Sequence, residues 1–187
     1  MQTDIKEALE VLKKGGTILY PTDTVWGIGC DATNNKAVSK IYSLKNRSEK
    51  KSMIVLLDDV NKIKDYVSNY PEQASDLIRD YHKPLTIVFE GAKGLAKGLI
   101  ADDGTIAIRV VKHDFCKQLI KGLGKPLVST SANVSGDITP AVFRDIKDFI
   151  KSKVNYIVKE EQGNLSPSNA STVIKMDATG SYKVLRS

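Results

Sequence analysis

The chain has 187 residues, enough to bury one good core, so a single domain spanning 1–187 is expected. With 41% hydrophobic and 27% charged residues it is too apolar for a disordered chain, and it has no apolar run near the roughly 18 residues of a membrane span. The net charge of +6 points weakly toward polyanions such as nucleotides or nucleic acid. Cys30 and Cys116 lie far apart with no CxxC spacing, and His82 and His113 complete a poor ligand set. Neither a disulfide framework nor a bound transition metal is expected. The N-terminus lacks a signal-peptide pattern, so the expected location is cytoplasmic.

In chain order, residues 4–14 carry Ile5, Ala8, Leu9 and Leu12 on one face and stop at Gly15-Gly16, which predicts a packing helix. A short strand over 17–20 is ended by Pro21, and Thr22 to Cys30 follows, rich in hydroxyls and glycine around the only tryptophan. These small polar groups beside an aromatic predict a ligand floor. Gly27-x-Gly29-x-x-Ala32, with Glu49 near the expected acidic position, matches a dinucleotide fingerprint. That fingerprint needs a continuous strand running into its first glycine, and Pro21 to Thr24 interrupt it here.

Asn34 or Asn35 caps a helix bearing Ala37, Val38, Ile41 and Leu44. The charged run that follows, containing Lys45 and Arg47, is pinned between that helix and the apolar strand 53–57; it reads either as a solvated charge run or as cations that favour the helix C-terminal dipole or reach a phosphate. Two helices are predicted over 59–67 and 71–81, then a strand over 85–89. In the strand 105–111 Ile106, Ile108 and Val110 face one way and Thr105, Ala107 and Arg109 the other. An arginine there needs an anion, either an internal carboxylate or a ligand. The helix bearing Phe115, Leu119 and Ile120 ends at Gly122 and Gly124, and Pro126 after Lys125 rules out a Walker A loop.

Residues 125–140 pass from the apolar Leu127-Val128 into Ser129, Thr130, Ser131, Asn133, Ser135 and Gly136. Hydroxyls and exposed main-chain N–H groups suit phosphate or carboxylate oxygens, because they donate without bulk. Thr139-Pro140 reads as an N-cap and first helical residue, so a helix over 140–152 is expected with its N-terminus beside this loop. A strand over 154–158, a connection over 159–170 and a hairpin of 171–176 with 181–186 complete the chain.

Tyr20-Pro-Thr-Asp-Thr-Val-Trp-Gly-Ile-Gly29, Lys45-x-Arg47 and Ser129-Thr-Ser-Ala-Asn-Val-Ser-Gly136, in this order and spacing, resemble the YrdC family of L-threonylcarbamoyladenylate synthases. The resemblance runs from about Lys14 to the C-terminus, taking in Arg109 and Ser171-Thr-Val. It implies an α/β fold: an open twisted mixed sheet flanked by helices, with a concave basic surface, in the form without an added C-terminal domain. It also implies synthesis of threonylcarbamoyl-AMP and pyrophosphate from L-threonine, bicarbonate and ATP with magnesium, for tRNA modification beside the anticodon. Downstream proteins would transfer the threonylcarbamoyl group. By similarity Thr22, Arg109, Ser129 and Ser171 hold threonine, and Lys45, Arg47, Thr105, Ser131, Asn133, Thr139 and Arg186 hold the nucleotide, with Lys45 and Arg47 acting in catalysis. Trp26 stands where tyrosine or phenylalanine is common, Ser48 and Ser52 replace prolines, and Glu49 falls where a basic residue is often found. The alternative is a non-catalytic module binding tRNA or double-stranded RNA.

Overall fold

The computed structural model describes residues 1–46, 53–166 and 169–187. The strands are β1 (Ile18–Tyr20), β2 (Gly27–Gly29), β3 (Ile54–Leu57), β4 (Leu85–Phe89), β5 (Ile106–Val110), β6 (Leu127–Ser131), β7 (Tyr156–Ile157), β8 (Thr172–Met176) and β9 (Tyr182–Arg186). The helices are α1 (Gln2–Lys13), α2 (Asn35–Leu44), α3 (Ile63–Tyr66), α4 (Gln73–Asp80), α5 (Asp114–Leu123) and α6 (Asp148–Lys153). One open mixed sheet orders the strands β7-β1-β2-β6-β3-β5-β4-β8-β9. The pairs β1/β7, β3/β5 and β4/β8 are parallel and the rest antiparallel.

Side-chain alternation divides the core in two. Ile28, Val128, Val55, Ile108, Ile87 and Ile174 face one side, where Ala37, Val38 and Ile41 of α2, Ile63 of α3, Ala74 of α4 and Ile150 of α6 cover them. Ile18, Tyr20, Leu127 and Leu56 face the other side, under Ile5, Ala8 and Leu12 of α1 and Phe115, Leu119 and Ile120 of α5. Each buried Val, Leu, Ile or Phe among them contributes about 1.5–3 kcal/mol. The first face is covered across the sheet. On the second, α1 and α5 cover the strand segments around Leu127 and Leu56, and the segments beyond them carry small residues instead.

Two elements differ from the sequence reading. Gly27–Gly29, read from sequence only as part of a ligand floor, is an inner strand of the sheet, because its glycines let neighbours close in. A Cβ on Gly29 would lie 2.5 Å from the Val128 carbonyl oxygen and 2.6 Å from the Tyr20 ring, and one on Gly27 would lie 2.9 Å from Ser129 Oγ. This also disposes of the dinucleotide fingerprint, whose first glycine belongs in a turn between strand and helix. The expected helix over 140–152 is the other correction. Residues 143–145 form a single 3₁₀ turn, Ile146 and Lys147 are extended, and α6 begins only at Asp148. Phe143 packs against Trp26 with ring centroids 4.8 Å apart, and Lys147 pairs with Asp137 at 2.9 Å, which holds the segment against the loop instead of winding it. No helix N-terminus stands at Thr139-Pro140, so the hydroxyl loop has no helix dipole behind it there.

Candidate active site

The uncovered half-face is a line of register pairs crossing six strands: Gly27 beside Ser131, Ser129 beside Ile54, Ile54 beside Ala107, Ala107 beside Val88, and Thr86 beside Val173. Ile54 apart, none of these side chains is larger than valine. Together with Thr24, Val25, Thr130, Thr139, Ser171, Arg109 and Arg186 they line a cavity of about 380 Å³. That size falls in the range of small-ligand sites. Its described lining contains two arginines and no carboxylate.

Arg109 is 2% exposed and sits where the cavity meets the second core, beside Leu56 in the sheet. Its Nη2 lies 3.2 Å from Oδ1 of Asp23, an ion pair by distance. The angle does not make it a hydrogen bond: Arg109 Nε and Nη2 and Asp23 Oδ1 are all buried without a hydrogen-bond partner. The internal carboxylate neutralises the guanidinium yet leaves its fork unused. A carboxylate ligand would accept both N–H groups in the bidentate geometry that arginine favours. The Lys112 amide, donating to Asp23 Oδ2 at 3.3 Å, holds the carboxylate from the other side.

The loop carrying Asp23 is set by Thr22, whose hydroxyl donates to the Val25 carbonyl at 2.8 Å and accepts from the Thr24 amide at 3.0 Å. Thr22 thus shapes the wall that Thr24 and Val25 present, without being part of it. On the opposite wall, the Ser171 and Thr86 hydroxyls share a hydrogen bond of 2.8 Å. Arg186 donates from Nε and Nη2 to the Ser171 carbonyl at 3.2 and 2.9 Å, which fixes the chain entering β8.

The third wall is the stretch after β6. Lys45 is 1% exposed, and its ammonium donates to the carbonyls of Ser131 at 2.5 Å and Asn133 at 2.6 Å. The Ser135 amide returns a bond to the Lys45 carbonyl at 3.0 Å. The Asn133 side-chain amide donates to the carbonyls of Asp137 at 2.8 Å and Val134 at 3.1 Å, so the loop is tied in three places. Asn133 Oδ1 and Ser135 Oγ remain buried with no partner. A loop that spends its amides on itself and keeps such atoms open is built to receive a ligand's polar groups.

Of the residues expected from sequence, Arg109, Ser129, Ser171, Ser131, Thr139 and Arg186 line the one cavity. Thr22, Lys45 and Asn133 stand behind its walls. The Thr105 hydroxyl donates to Asp103 at 2.7 Å, a bond that holds the Asp103 carboxyl below its ordinary range, and Thr105 does not line the cavity. Arg47, Ser48, Glu49 and Ser52 lie outside the described residues. Sequence reasoning missed Thr86 and the pairing of Asp23 with Arg109. Thr86 is fully buried and is the only polar residue in Leu85–Phe89, a signal that alternation alone could have supplied. Among the described residues no group of three His, Cys, Asp or Glu could hold a metal ion. No described helix is long and apolar enough to cross a membrane.

A half-bare mixed sheet whose exposed strip ends in a buried arginine and a self-tied hydroxyl loop has the features of a small-ligand site. The chain belongs to the Sua5/YciO/YrdC family, whose model, described as telomere recombination, matches residues 10–187. It is 36% identical over 171 residues to the threonylcarbamoyl-AMP synthase of Pseudoalteromonas translucida, covering 89% of this chain and 91% of that one. It is 33% identical over 177 residues to the enzyme of the same name from Coxiella burnetii, covering 94% of each. Among solved structures, E. coli YciO superposes with a TM-score of 0.82 at 25% identity, over 100% of this chain and 89% of that one. P. abyssi Sua5 complexed with L-threonine gives 0.86 at 24% identity over 97% of this chain, a likeness of fold. This chain spans about half of that one, 53%.

Proposed function

We propose that the protein is a threonylcarbamoyl-AMP synthase, making threonylcarbamoyl-AMP and pyrophosphate from L-threonine, bicarbonate and ATP. The observation that carries this reading is the buried Arg109, whose Nε and Nη2 make no hydrogen bond despite the nearby Asp23, at the floor of a cavity whose described lining is rich in hydroxyls and holds no carboxylate. Such a site suits an anion with a carboxylate at one end, and relatives more than 30% identical over nearly the whole chain bear this enzyme's name.

Arg109 takes the threonine carboxylate, with the hydroxyls of Ser129, Ser171 and Thr86 around the amino acid and Thr22 shaping the loop that closes it in. The neutral amine adds to the carbon of carbon dioxide derived from bicarbonate and loses a proton to give a carbamate. A carbamate oxygen then bonds to the α-phosphorus of ATP while the bond to the pyrophosphate oxygen breaks. Two anions must meet, so catalysis rests on positioning and charge neutralisation. Ser131, Thr139, the open Asn133 Oδ1, Lys45, Arg47, Thr105 and Arg186 serve the nucleotide side. Lys45 does so by holding the loop and Arg186 by holding Ser171. Magnesium would come with ATP: the described lining offers it no carboxylate, so it would be held by phosphate oxygens and water, where it would offset phosphate charge. The product passes to transfer proteins that modify tRNA, and the enzyme works in the cytoplasm.

The test is pyrophosphate release from ATP with magnesium and bicarbonate, comparing L-threonine, L-serine and no amino acid. Threonine-dependent release with a threonylcarbamoyl-AMP mass is the expected outcome. Absence of release from folded protein that still binds double-stranded RNA would replace this reading with the non-catalytic module.

A further inference from the structure

Strand alternation turns Ile87 of β4 into the first core and Thr86 onto the cavity face. Thr86 is nevertheless fully buried, so its hydroxyl reaches a ligand only through its partner, Ser171. Thr86 and Arg109 each stand one step beyond the Ile87–Ile108 pair of the antiparallel strands β4 and β5, which places them side by side. Whatever Arg109 holds therefore lies next to the Ser171 wall.

A hydroxyl carries one hydrogen and two lone pairs, and that inventory fixes the direction of the bonds in this wall. Among the described residues the Thr86 hydroxyl has one partner, Ser171 Oγ at 2.8 Å. Its hydrogen is buried and has no other acceptor, and a buried donor left unmade costs more than a made bond returns. Thr86 therefore donates to Ser171. The guanidinium of Arg186 can only donate; its Nη2 meets Ser171 Oγ at 3.4 Å while bonding the Ser171 carbonyl at 2.9 Å. With donors on both lone pairs, Ser171 turns its own hydrogen to the one open side, the cavity that it lines. The reverse direction, Ser171 donating to Thr86, would strand the Thr86 hydrogen.

We propose that Thr86 is a positioning residue for specificity: by donating to Ser171 it makes that serine a one-way donor, which selects an amino acid with an oxygen on its β-carbon. The inference rests on the synthase reading, in which Arg109 takes both carboxylate oxygens of L-threonine. The β-hydroxyl oxygen is then the acceptor left on the incoming zwitterion, and the Ser171 hydrogen bonds to it. The ammonium group carries only hydrogens and finds no acceptor at Ser171. The amine is thereby kept off this wall and left free for carbamate formation.

The experiment is calorimetric titration of L-threonine and of L-2-aminobutyrate, which is threonine without its hydroxyl, with pyrophosphate release followed in parallel. It is run on the wild type, Thr86→Val, Thr86→Ser, Ser171→Ala and Thr86→Val/Ser171→Ala, with thermal midpoints reporting folding. The wild type is expected to prefer L-threonine. Thr86→Val keeps the shape and removes the donor, so it should weaken L-threonine binding roughly 2- to 12-fold, one neutral hydrogen bond's worth, and leave L-2-aminobutyrate unchanged. The loss should appear in KM rather than kcat. Thr86→Ser keeps the donor and should restore the preference. The double variant should bind no more weakly than Ser171→Ala, because Thr86 acts through that serine. Equal losses for both amino acids, additive losses in the double variant, or no restoration by Thr86→Ser overturns the proposal. Should Thr86→Val fail to fold, Ser171→Ala decides, and a full preference for L-threonine kept there overturns it. Wild-type protein that binds the two amino acids equally overturns it whatever the turnover, and no binding of L-threonine overturns the synthase reading with it. An intact preference without pyrophosphate release overturns the synthase reading alone.

Discussion

Replacing Arg109 separates its part in the fold from its part in binding. In Arg109→Met the Asp23 carboxylate, whose side chain is 10% exposed, loses its cation and stays buried. Breaking a buried pair from one side costs about 3–5 kcal/mol. For a chain of this length that lowers the thermal midpoint by roughly 6–20 °C. Arg109→Met/Asp23→Asn removes the orphaned charge and should recover most of that loss. Binding should not recover with it. Two charge-assisted hydrogen bonds to the threonine carboxylate, at about 1.5–3 kcal/mol each, disappear in both variants. The threonine KM for pyrophosphate release should therefore rise by at least about 100-fold in each. Urea unfolding and a threonine titration of all three proteins are the measurements. A double variant that regains both stability and threonine affinity would refute the reasoning, because Arg109 would then act only through the fold.

Gly29→Ala pushes a Cβ to 2.5 Å from the Val128 carbonyl and 2.6 Å from the Tyr20 ring, so destabilisation by at least about 1–3 kcal/mol is expected in urea unfolding. Lys45→Met leaves the Ser131 and Asn133 carbonyls without their charged donor. Amide exchange over 131–137 should quicken and activity should drop at least about tenfold, roughly one charged hydrogen bond's worth. Asp4 bears on acid stability. Burial works against its charge, but the Tyr156 hydroxyl and the Lys159 and Glu160 amides outweigh it and hold its carboxyl below the ordinary range. With a depressed folded pKa, this stabilisation is complete above the unfolded value of about 3.9 and is lost as pH falls through the lower folded value. Asp4→Asn should lower stability at neutral pH and flatten the acid limb of a stability–pH curve.

Much of the site was legible because alternation in a strand is a strict rule. Arg109 and Ala107 had to share a face opposite Ile106 and Ile108, and β4 falls at the expected 85–89. The hydroxyl loop was legible from composition, and its resemblance to a known family supplied the order of the motifs. The β2 strand was not legible, since Gly27 and Gly29 carry no strand preference. Their reason is the space taken by Tyr20, Val128 and Ser129, which is a fact of three dimensions. The misread helix had good local grounds, as Val142, Phe143, Ile146 and Ile150 repeat at helical spacing. What overrode that spacing was the distant Trp26 ring. The role of Lys45 was hidden for a similar reason: its acceptors lie more than eighty residues away.

The strip of small residues under the cavity has a consequence for the life of the protein in the cell. Half of one sheet face is a socket that the chain does not fill with its own side chains, so the substrate takes the place of missing core. Whatever binds there holds the native state together. At a ligand concentration 100 times its dissociation constant, that linkage adds about 2.7 kcal/mol to folding. For a marginally stable domain, this margin decides how much of it escapes proteolysis, and substrate scarcity therefore lowers the amount of enzyme as well as its rate.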